Sequence, residues 1–182
     1  MFRKLGAKIL DCDQMNHRLI HRGGACFPAV VRLFGKQILS GGDIDRKKIA
    51  AIVFEDRAKL RRLNKIVHPA VIREIKKGIQ KFKRNKNTII LIDAPLLIEA
   101  GLHGICDYVI VVAAGRETQI QRIIRRMTIN RREVLKRIRA QMPLKKKIQS
   151  ADITIHNNGS LTQTRKEVKR IWQDLLKKNL RK

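Results

Sequence analysis

The stretch from Thr88 to Gly101, TIILIDAPLLIEAG, constrains the fold of this chain more than any other. Thr88 to Ile92 is an apolar, mostly β-branched run of strand length, and it contains no alternating polar residues. Such runs are typical of parallel sheets covered by helices, so both faces of this strand are predicted to be buried. Pro95 lacks a backbone donor and ends the predicted strand. Leu96 to Ala100 are predicted to start a helix that Gly101 breaks.

Acidic residues follow two of the predicted strands. Asp93 comes directly after the run described above, and a short predicted strand, Ala7 to Leu10, leads into Asp11-Cys12-Asp13. Open α/β sheets bind their ligands at the carboxyl ends of the strands. We therefore expect these carboxylates to share one edge of the sheet, where a general base could work. The alternative for Asp93 is that it only caps the helix that follows.

Composition indicates one globular domain with an unusual charge. The chain has 182 residues, 43% of them hydrophobic, and a formal net charge of +27. No apolar run approaches the roughly 18 residues of a membrane span, so no membrane association is predicted. Three scattered cysteines without a C-x-x-C pattern, and no secretory signal in MFRKLGAKIL, predict reduced thiols and a cytoplasmic location.

The positive charge is concentrated in two zones. Residues 57–86 contain twelve Lys and Arg against Glu74 alone, and residues 131–147 contain eight against Glu133 alone. A field of this sign attracts polyanions such as nucleic acid, anionic membranes or phosphorylated small molecules. The alternative is a lysine-rich surface that is merely solvated.

The order of the remaining elements defines the predicted fold class. Helices are predicted over 14–21, 29–34, 46–55, 56–83, 116–127 and 131–142, and a final helix follows a capping box of Ser160 and Gln163. Pro69 is expected to kink or restart the helix that contains it. Residues 85–87 form a predicted turn, and further strands are predicted over 108–113 and 152–155. The pattern is typical of a doubly wound α/β domain with a parallel sheet and an inserted all-helical piece.

Three arginines after the strand over 108–113 suit a polyphosphate. Guanidinium groups bind phosphoryl oxygens bidentately and stabilise charge during phosphoryl transfer. The candidates are Arg122, Arg126 and Arg137, and the weakly apolar helix over 131–142 could serve as a lid over a nucleotide. His17 and His21 are four residues apart but lack a third ligand at a familiar spacing, so no metal ligands are assigned.

Seven segments together resemble the dephospho-CoA kinase family. They occur in the order and spacing of that family, cover essentially the whole chain, and read LGAKILDCDQMNH, GDIDRKKIAAIVF, LNKIVHPAV, IDAPLLIEAGL, ETQIQRIIRRM, RIRAQMP and ITIHNNGS. The resemblance implies a P-loop kinase fold and ATP-dependent phosphorylation, with Mg²⁺, of the ribose 3′-hydroxyl of dephospho-CoA. That reaction is the last step of coenzyme A synthesis.

The resemblance also implies a role for individual residues. Asp13 would be the general base, the helical insertion over about 20–86 would hold the substrate, and a lid would span about 127–147. The residues expected to contact dephospho-CoA are His17, His68, Pro69, Leu96 and Leu97, with His68 and Pro69 at a hinge. Those expected to contact ATP are Arg122, Arg126, Arg137, Asn157 and Gly159.

One family motif does not occur in these 182 residues. The family begins with a strand and a G-x-x-x-x-G-K-(S/T) loop that supplies a phosphate cradle, a lysine and a Mg²⁺-binding hydroxyl, whereas this chain begins inside the following helix. We therefore expect a truncated chain with an internal Met1 start, and an inactive, poorly folded protein if residues 1–182 are the full product. ATP-saturable kinase activity of residues 1–182 would contradict this expectation.

Two other functions remain open on sequence grounds. The first is a nucleic-acid-binding or other phosphate-binding protein that uses the positive field without catalysis, although the two basic zones hold a single aromatic residue, Phe82, for base stacking. The second is a kinase of another small substrate on the same fold.

Overall fold

The computed structural model describes residues 1–83, 88–127 and 129–179. The chain divides into two compact units. The first, which we name the helical unit, is Ile9–Pro95, and the second, the C-terminal unit, combines Met1–Lys8 with Leu96–Lys182. The insertion predicted over about 20–86 falls within the helical unit, whereas the turn predicted over 85–87 lies outside the described residues.

The elements of the helical unit are close to those predicted. In chain order they are β1 (Lys8–Asp11), α1 (Cys12–Ile20), α2 (Phe27–Phe34), a 3-10 turn (Lys36–Ile38), β2 (Leu39–Ser40), β3 (Asp43–Ile44), α3 (Arg46–Glu55), α4 (Arg57–Phe82) and β4 (Ile90–Asp93). Strand β1 pairs with β4, and the short β2 and β3 form an antiparallel hairpin. Neither of these two short strands is predicted from the sequence.

Helix α4 organises the helical unit. Its start is fixed by Asp56, whose carboxylate accepts the backbone N–H groups of Ala58 and Lys59. One face of α4 buries Val67, Ala70, Val71 and Ile75, and the helix packs against α1, α2 and α3. This burial explains why a segment so rich in Lys and Arg is helical, since tertiary packing contributes more to helix stability than propensity does.

Of the two predicted effects of Pro69, a kink or a restart of the helix, the restart does not occur. Pro69 lies inside α4, which continues from Arg57 to Phe82. The missing backbone donor costs one hydrogen bond of the helix. Packing of Ala70 and Val71, which are 3% and 8% exposed, holds the helix together on the C-terminal side of the proline.

The central run is less buried than its composition predicts. Every residue from Thr88 to Ile92 is half-buried, although α1 and α4 both contact β4. Among the described strands β4 pairs with β1 alone, so the other edge of β4 has no neighbouring strand there. The predicted helix at Leu96 is also wrong: one turn forms, in which the Ala100 N–H donates to the Leu96 carbonyl at 2.9 Å, before Gly101 adopts a left-handed conformation (φ 71°).

The C-terminal unit contains a parallel strand pair with helices. Its elements are 3-10 turns at Phe2–Leu5 and Leu102–Ile105, β5 (Ile110–Ala113), α5 (Arg116–Met127), α6 (Arg131–Arg139), α7 (Leu144–Gln149), β6 (Ile153–His156) and α8 (Leu161–Asn179). Strand β5 runs parallel to β6, with Ile110 opposite Ile153. Helix α5 has the predicted bounds, whereas the helix predicted over 131–142 ends at Arg139 and α7 was not predicted.

The core of this unit lies between β6 and α8. Ile155, Val168 and Ile171 are almost fully buried, and Phe2 and Leu5 of the N-terminal turn pack against them. The predicted capping box of α8 is confirmed: Gln163 accepts from the Ser160 N–H at 2.8 Å, and the Gln163 N–H donates to the Ser160 hydroxyl at 3.2 Å.

Strand β5 is buried on one face only. Val111 and Ala113 are 8% and 5% exposed, whereas Val112 between them is 57% exposed. The α/β class and the parallel pairing are confirmed. The described strands are hydrogen-bonded in three pairs, β1 with β4, β2 with β3 and β5 with β6, rather than in one doubly wound sheet. No helix within 1–83, 88–127 or 129–179 is both long and apolar enough to cross a bilayer.

Candidate active site

Three carboxylates meet where β1 and β4 end. Asp11 is the last residue of β1 and caps α1, since its Oδ1 accepts the Gln14 N–H at 2.9 Å. Asp13 lies in the first turn of α1, and Asp93 is the last residue of β4. The charges of Asp11 and Asp93 both act on Asp13. The prediction that acids from two strands share one edge is therefore confirmed.

The environment of Asp13 raises the pKa of its carboxyl. Desolvation by neighbouring protein atoms is the largest cause, followed by repulsion from Asp11 and Asp93, and the Arg46 charge offsets part of the rise. The residue itself keeps an exposed surface. A solvent-reachable carboxylate with increased proton affinity is suited to accept a proton from a substrate hydroxyl.

His17 belongs to a histidine–aspartate group on the same helix. The His17 and His21 rings are 6.1 Å apart, edge to face, and His21 Nε2 lies 2.7 Å from Asp43 Oδ2. Asp43 also accepts the N–H groups of Arg22 and Ile44 at 2.9 and 2.8 Å. Asp43 thus fixes the β3 hairpin to the end of α1. In the described part of the chain, no three or more His, Cys, Asp and Glu side chains are placed to hold a metal ion.

The other predicted substrate contacts fall in two places. His68 is half-buried inside α4, where burial lowers the pKa of its imidazole, and Pro69 beside it is exposed. Both lie within a continuous helix and not between two elements. Leu96 and Leu97 are half-buried residues of the turn in the C-terminal unit, where their carbonyls accept from Ala100 and Leu102.

The loop after β6 is fastened to the loop after β5. The Arg122 guanidinium donates to the Asn157 carbonyl at 2.7 Å, and Asn158 Oδ1 accepts the Gly115 N–H at 2.6 Å. The Asn157 N–H donates to the Ala113 carbonyl at 2.7 Å. Because β5 and β6 are parallel, both loops leave the same end of the pair. The structure thus brings Arg122 and Asn157, predicted separately from sequence, into contact.

Gly159 lies directly before the capping box of α8. A Cβ at this position would collide with the Gln163 side chain that caps Ser160. Arg126 is exposed on α5, and Arg137 lies on α6 with its Nη1 3.2 Å from Met127 Sδ. Arg137 therefore lies against the end of α5, while Arg126 faces solvent.

Carboxylates hold α6 at both ends. At its start, Arg131 forms two hydrogen bonds with Glu117 of α5, at 2.8 and 2.9 Å. Beyond its end, Glu99 Oε1 accepts the Met142 N–H at 3.0 Å and lies 2.9 Å from Lys147 Nζ. Val134 between them is fully buried. Helix α6 is therefore held at its start by Glu117 and by the burial of Val134, while Glu99 holds the segment that follows the helix.

Sequence reasoning missed these two glutamates. Glu99 is the last residue of the D-x-P-L-L-x-E segment, so its motif was visible although its partner was not. Glu117 is likewise the first residue of the ETQIQRIIRRM segment, but nothing in that segment indicates its pairing with Arg131. Burial raises the pKa of Glu99, but the hydrogen bonds from Lys147 and Met142 outweigh it and lower the pKa overall.

The Glu117–Arg131 pair gives a direct titration test. Hydrogen bonds from Arg131 and Gln121 lower the pKa of Glu117 to about 2. We expect a carboxyl-carbon NMR titration to place the Glu117 midpoint near that value, and the R131Q variant to raise it toward an ordinary glutamate. R132Q, on the neighbouring exposed arginine, is the matched control and should leave the midpoint in place. An unchanged midpoint in R131Q would contradict the pairing.

Comparison with known proteins identifies the family. A family model for dephospho-CoA kinase matches residues 1–163. The chain is 39% identical to a dephospho-CoA kinase from Carboxydothermus hydrogenoformans over 98% of this chain and 89% of the relative. It is 40% identical to one from Aquifex aeolicus over 96% and 88%.

Solved structures agree with this result. The crystal structure of a Thermus thermophilus protein, 32% identical, superposes with a TM-score of 0.78 and covers 96% of this chain and 87% of its own. Dephospho-CoA kinase from Campylobacter jejuni, 24% identical, shows the same fold with a TM-score of 0.69 over 97% of this chain and 89% of its own. On the strength of the family match and the extent of these alignments, the chain belongs to the dephospho-CoA kinase family.

Proposed function

We propose that this protein transfers the γ-phosphoryl group of ATP to the ribose 3′-hydroxyl of dephospho-CoA, giving coenzyme A and ADP. The observation that carries the proposal is Asp13, a solvent-reachable carboxyl of raised pKa, in a chain of the dephospho-CoA kinase family. The relatives named above are dephospho-CoA kinases over nearly the whole length of this chain.

Asp13 acts on the acceptor. Its carboxylate accepts a hydrogen bond from the 3′-hydroxyl and takes the proton as the new P–O bond forms and the bond to ADP breaks. Because the transition state for phosphoryl transfer is loose, the main contribution of Asp13 is to orient the hydroxyl and to receive its proton. Desolvation, followed by repulsion from Asp11 and Asp93, raises the proton affinity of Asp13, which suits it to that task.

Arginines and the loop after β6 act on ATP. Arg122, fixed by the Asn157 carbonyl, meets phosphate oxygens, and Arg126 and Arg137 add positive charge as negative charge develops. The segment Asn157 to Gly159 follows β6 and contacts the adenine. Mg²⁺ is proposed to arrive with ATP, where phosphate oxygens supply most of its ligands and the metal neutralises phosphate charge.

The remaining assigned residues serve the substrate. In the helical insertion over about 20–86, His17, His68 and Pro69 contact dephospho-CoA, and Leu96 and Leu97 offer apolar surface to it. The half-buried state of His68, Leu96 and Leu97 supports this role, since such side chains combine fixed positions with accessible surface.

The segment over about 127–147 is the proposed lid. Helix α6 fully buries Val134 alone, and Leu135 and Ile138 are only half-buried, so little apolar packing holds it in one place. Glu117 and Glu99 restrain its two ends, which keeps Arg137 at a defined position on α5.

The test is an assay of coenzyme A formation with the whole chain, together with calorimetry for each substrate. We expect ATP-dependent 3′-phosphorylation of dephospho-CoA and no comparable transfer to adenosine or pantetheine. Preferred transfer to another acceptor, or failure to bind dephospho-CoA, would contradict the proposal. Binding of both substrates without turnover would support the substrate assignment but would contradict the proposed transfer.

A further inference from the structure

Helix α4 has an exposed basic face on which Pro69 is the one residue that we assign to the kinase substrate. It carries nine exposed basic residues: Arg57, Lys59, Arg61, Arg62, Lys65, Arg73, Lys76, Lys77 and Lys81. Its one acidic residue, Glu74, is paired with Lys77 at 2.9 Å. The helix therefore carries a large uncompensated positive charge over its 26 residues, about 39 Å at 1.5 Å per residue.

Four of these side chains form a row. Arg62, Lys65, Arg73 and Lys76 are separated by three, eight and three residues, spacings that return to the same side of a helix with 3.6 residues per turn. Val67, Val71 and Ile75, spaced by four, are buried on the opposite side. Packing of that buried side fixes the helix, so the row is a rigid line of cations and not a flexible tail. We name these four residues the α4 row.

A rigid line of cations fits the backbone of a duplex. Double-stranded nucleic acid carries about one negative charge per 1.7 Å of its axis, and cations that neutralise phosphates release bound counterions. The exposed positions of α4 carry no aromatic residue, so the face offers no stacking platform for single strands. They also carry no large apolar side chain to insert into a bilayer.

We propose that the exposed face of α4, with the α4 row at its centre, binds the phosphate backbone of double-stranded nucleic acid without sequence preference. Length separates this face from the basic group at the start of α8. There Arg165, Lys166, Lys169 and Arg170 are exposed and span about 8 Å, Glu167 lies among them, and the next exposed basic residues of α8, Lys177 and Lys178, come only after Asp174. The proposal does not depend on the kinase reaction, although Pro69, which we propose contacts dephospho-CoA, lies on the same face of α4.

The test compares two variants of equal net charge. R62Q/K65Q/R73Q/K76Q neutralises the α4 row, and R165Q/K166Q/K169Q/R170Q is the matched control on α8. Binding to a fluorescent 20-base-pair duplex RNA or DNA is measured by anisotropy between 50 and 300 mM salt, with circular dichroism and thermal melting as checks of folding.

Since each phosphate contact changes the slope of log K against log salt by about one, we expect the α4 variant to lose three to four units of slope. We expect its affinity at 100 mM salt to fall by at least about 100-fold, and the control to stay near wild type.

Several outcomes would overturn the proposal. Equal losses in the two variants would mean that overall charge, and not this face, binds the duplex. Unchanged affinity and salt slope in the α4 variant would show that the α4 row does not bind the duplex. Tighter binding to vesicles containing phosphatidylserine than to the duplex would identify a membrane surface instead. Displacement of the duplex by dephospho-CoA at its own Kd would show that the face belongs to the substrate site.

Discussion

Replacement of Asp13 by asparagine is expected to lower kcat for coenzyme A formation by about 10²–10⁴-fold, the usual contribution of a general base. The amide keeps the size of the side chain and can still hydrogen-bond to the hydroxyl, so KM for dephospho-CoA should change little. D56N is the matched control, because asparagine caps a helix as well as aspartate does and Asp56 lies at the start of α4. A kcat within threefold of wild type in D13N would exclude Asp13 as the base.

The same residue sets the pH dependence of the reaction. The base must be deprotonated, and its pKa is raised above 3.8, so kcat should fall as pH drops through a midpoint above that value. D11N removes one repelling charge while it keeps the cap on Gln14, so the acid limb should move to lower pH without loss of the plateau. An acid limb that stays in place in D11N would contradict the coupling of the two carboxylates.

Asp13 should also reduce the stability of the fold. When folding raises the pKa of a carboxyl, the charged form is less stable in the native state than in the unfolded chain. Ionised Asp13 therefore destabilises the native state at neutral pH. D13N is therefore expected to melt at a higher temperature than wild type at pH 7. The difference should vanish below the ordinary aspartate pKa, where both side chains are neutral.

Replacement of Glu99 by alanine is expected to cost about 2 kcal/mol of unfolding free energy, less than the roughly 3–5 kcal/mol for breaking a fully buried pair. The side chains of Glu99 and Lys147 are 22% and 13% exposed, so water can partly compensate for the loss. Alanine also leaves the Met142 N–H without its acceptor. Urea unfolding gives the free energy, and faster hydrogen exchange in α6 would show that the proposed lid has loosened.

The E99Q variant separates the contribution of the Glu99–Lys147 ion pair from that of the hydrogen bond to the Met142 N–H. Glutamine can still accept the Met142 N–H but has no charge, so E99Q should lose less unfolding free energy than E99A. The double variant E99Q/K147M should recover part of that loss.

The pH dependence of stability gives a second test. Because the pKa of Glu99 is lowered by folding, the stabilisation is present above pH 4.5 and disappears as pH falls through the folded pKa. Equal stabilities of E99A and wild type at pH 7 would contradict this role.

Local rules predicted the elements of this chain well. Ser160 caps α8 as predicted, because a side chain that accepts from the next turn requires no distant partner, and Asp45 and Asp56 cap α3 and α4 in the same way. The predicted bounds of α3 and α5 are also confirmed. Pro69 is the counterexample, since packing of the buried face of α4 outweighs the local preference against proline in a helix.

The candidate site shows the same difference between local and distant information. The motif resemblance named Asp13, Arg122 and Asn157 as candidates, but it did not predict the contacts that hold them in place. Two of these contacts join residues that are far apart in the chain: the Glu99–Lys147 pair, and the repulsion of Asp13 by Asp93. The spacing of apolar residues along the sequence gives no information about such contacts. The partial burial of the run over 88–92 depends likewise on which strand pairs with β4.

The sequence by itself determined the family, the α/β class and the residue types available for chemistry, because motifs and periodicity are properties of neighbouring residues. The tertiary structure alone decided which charges meet. It raised the pKa of Asp13 by desolvating the carboxyl and by bringing Asp93 of β4 close to Asp11 and Asp13, and it gave Glu99 and Glu117 their cationic partners. Electrostatic energies depend on separation in space and on exclusion of water, and both are set only when the chain has folded.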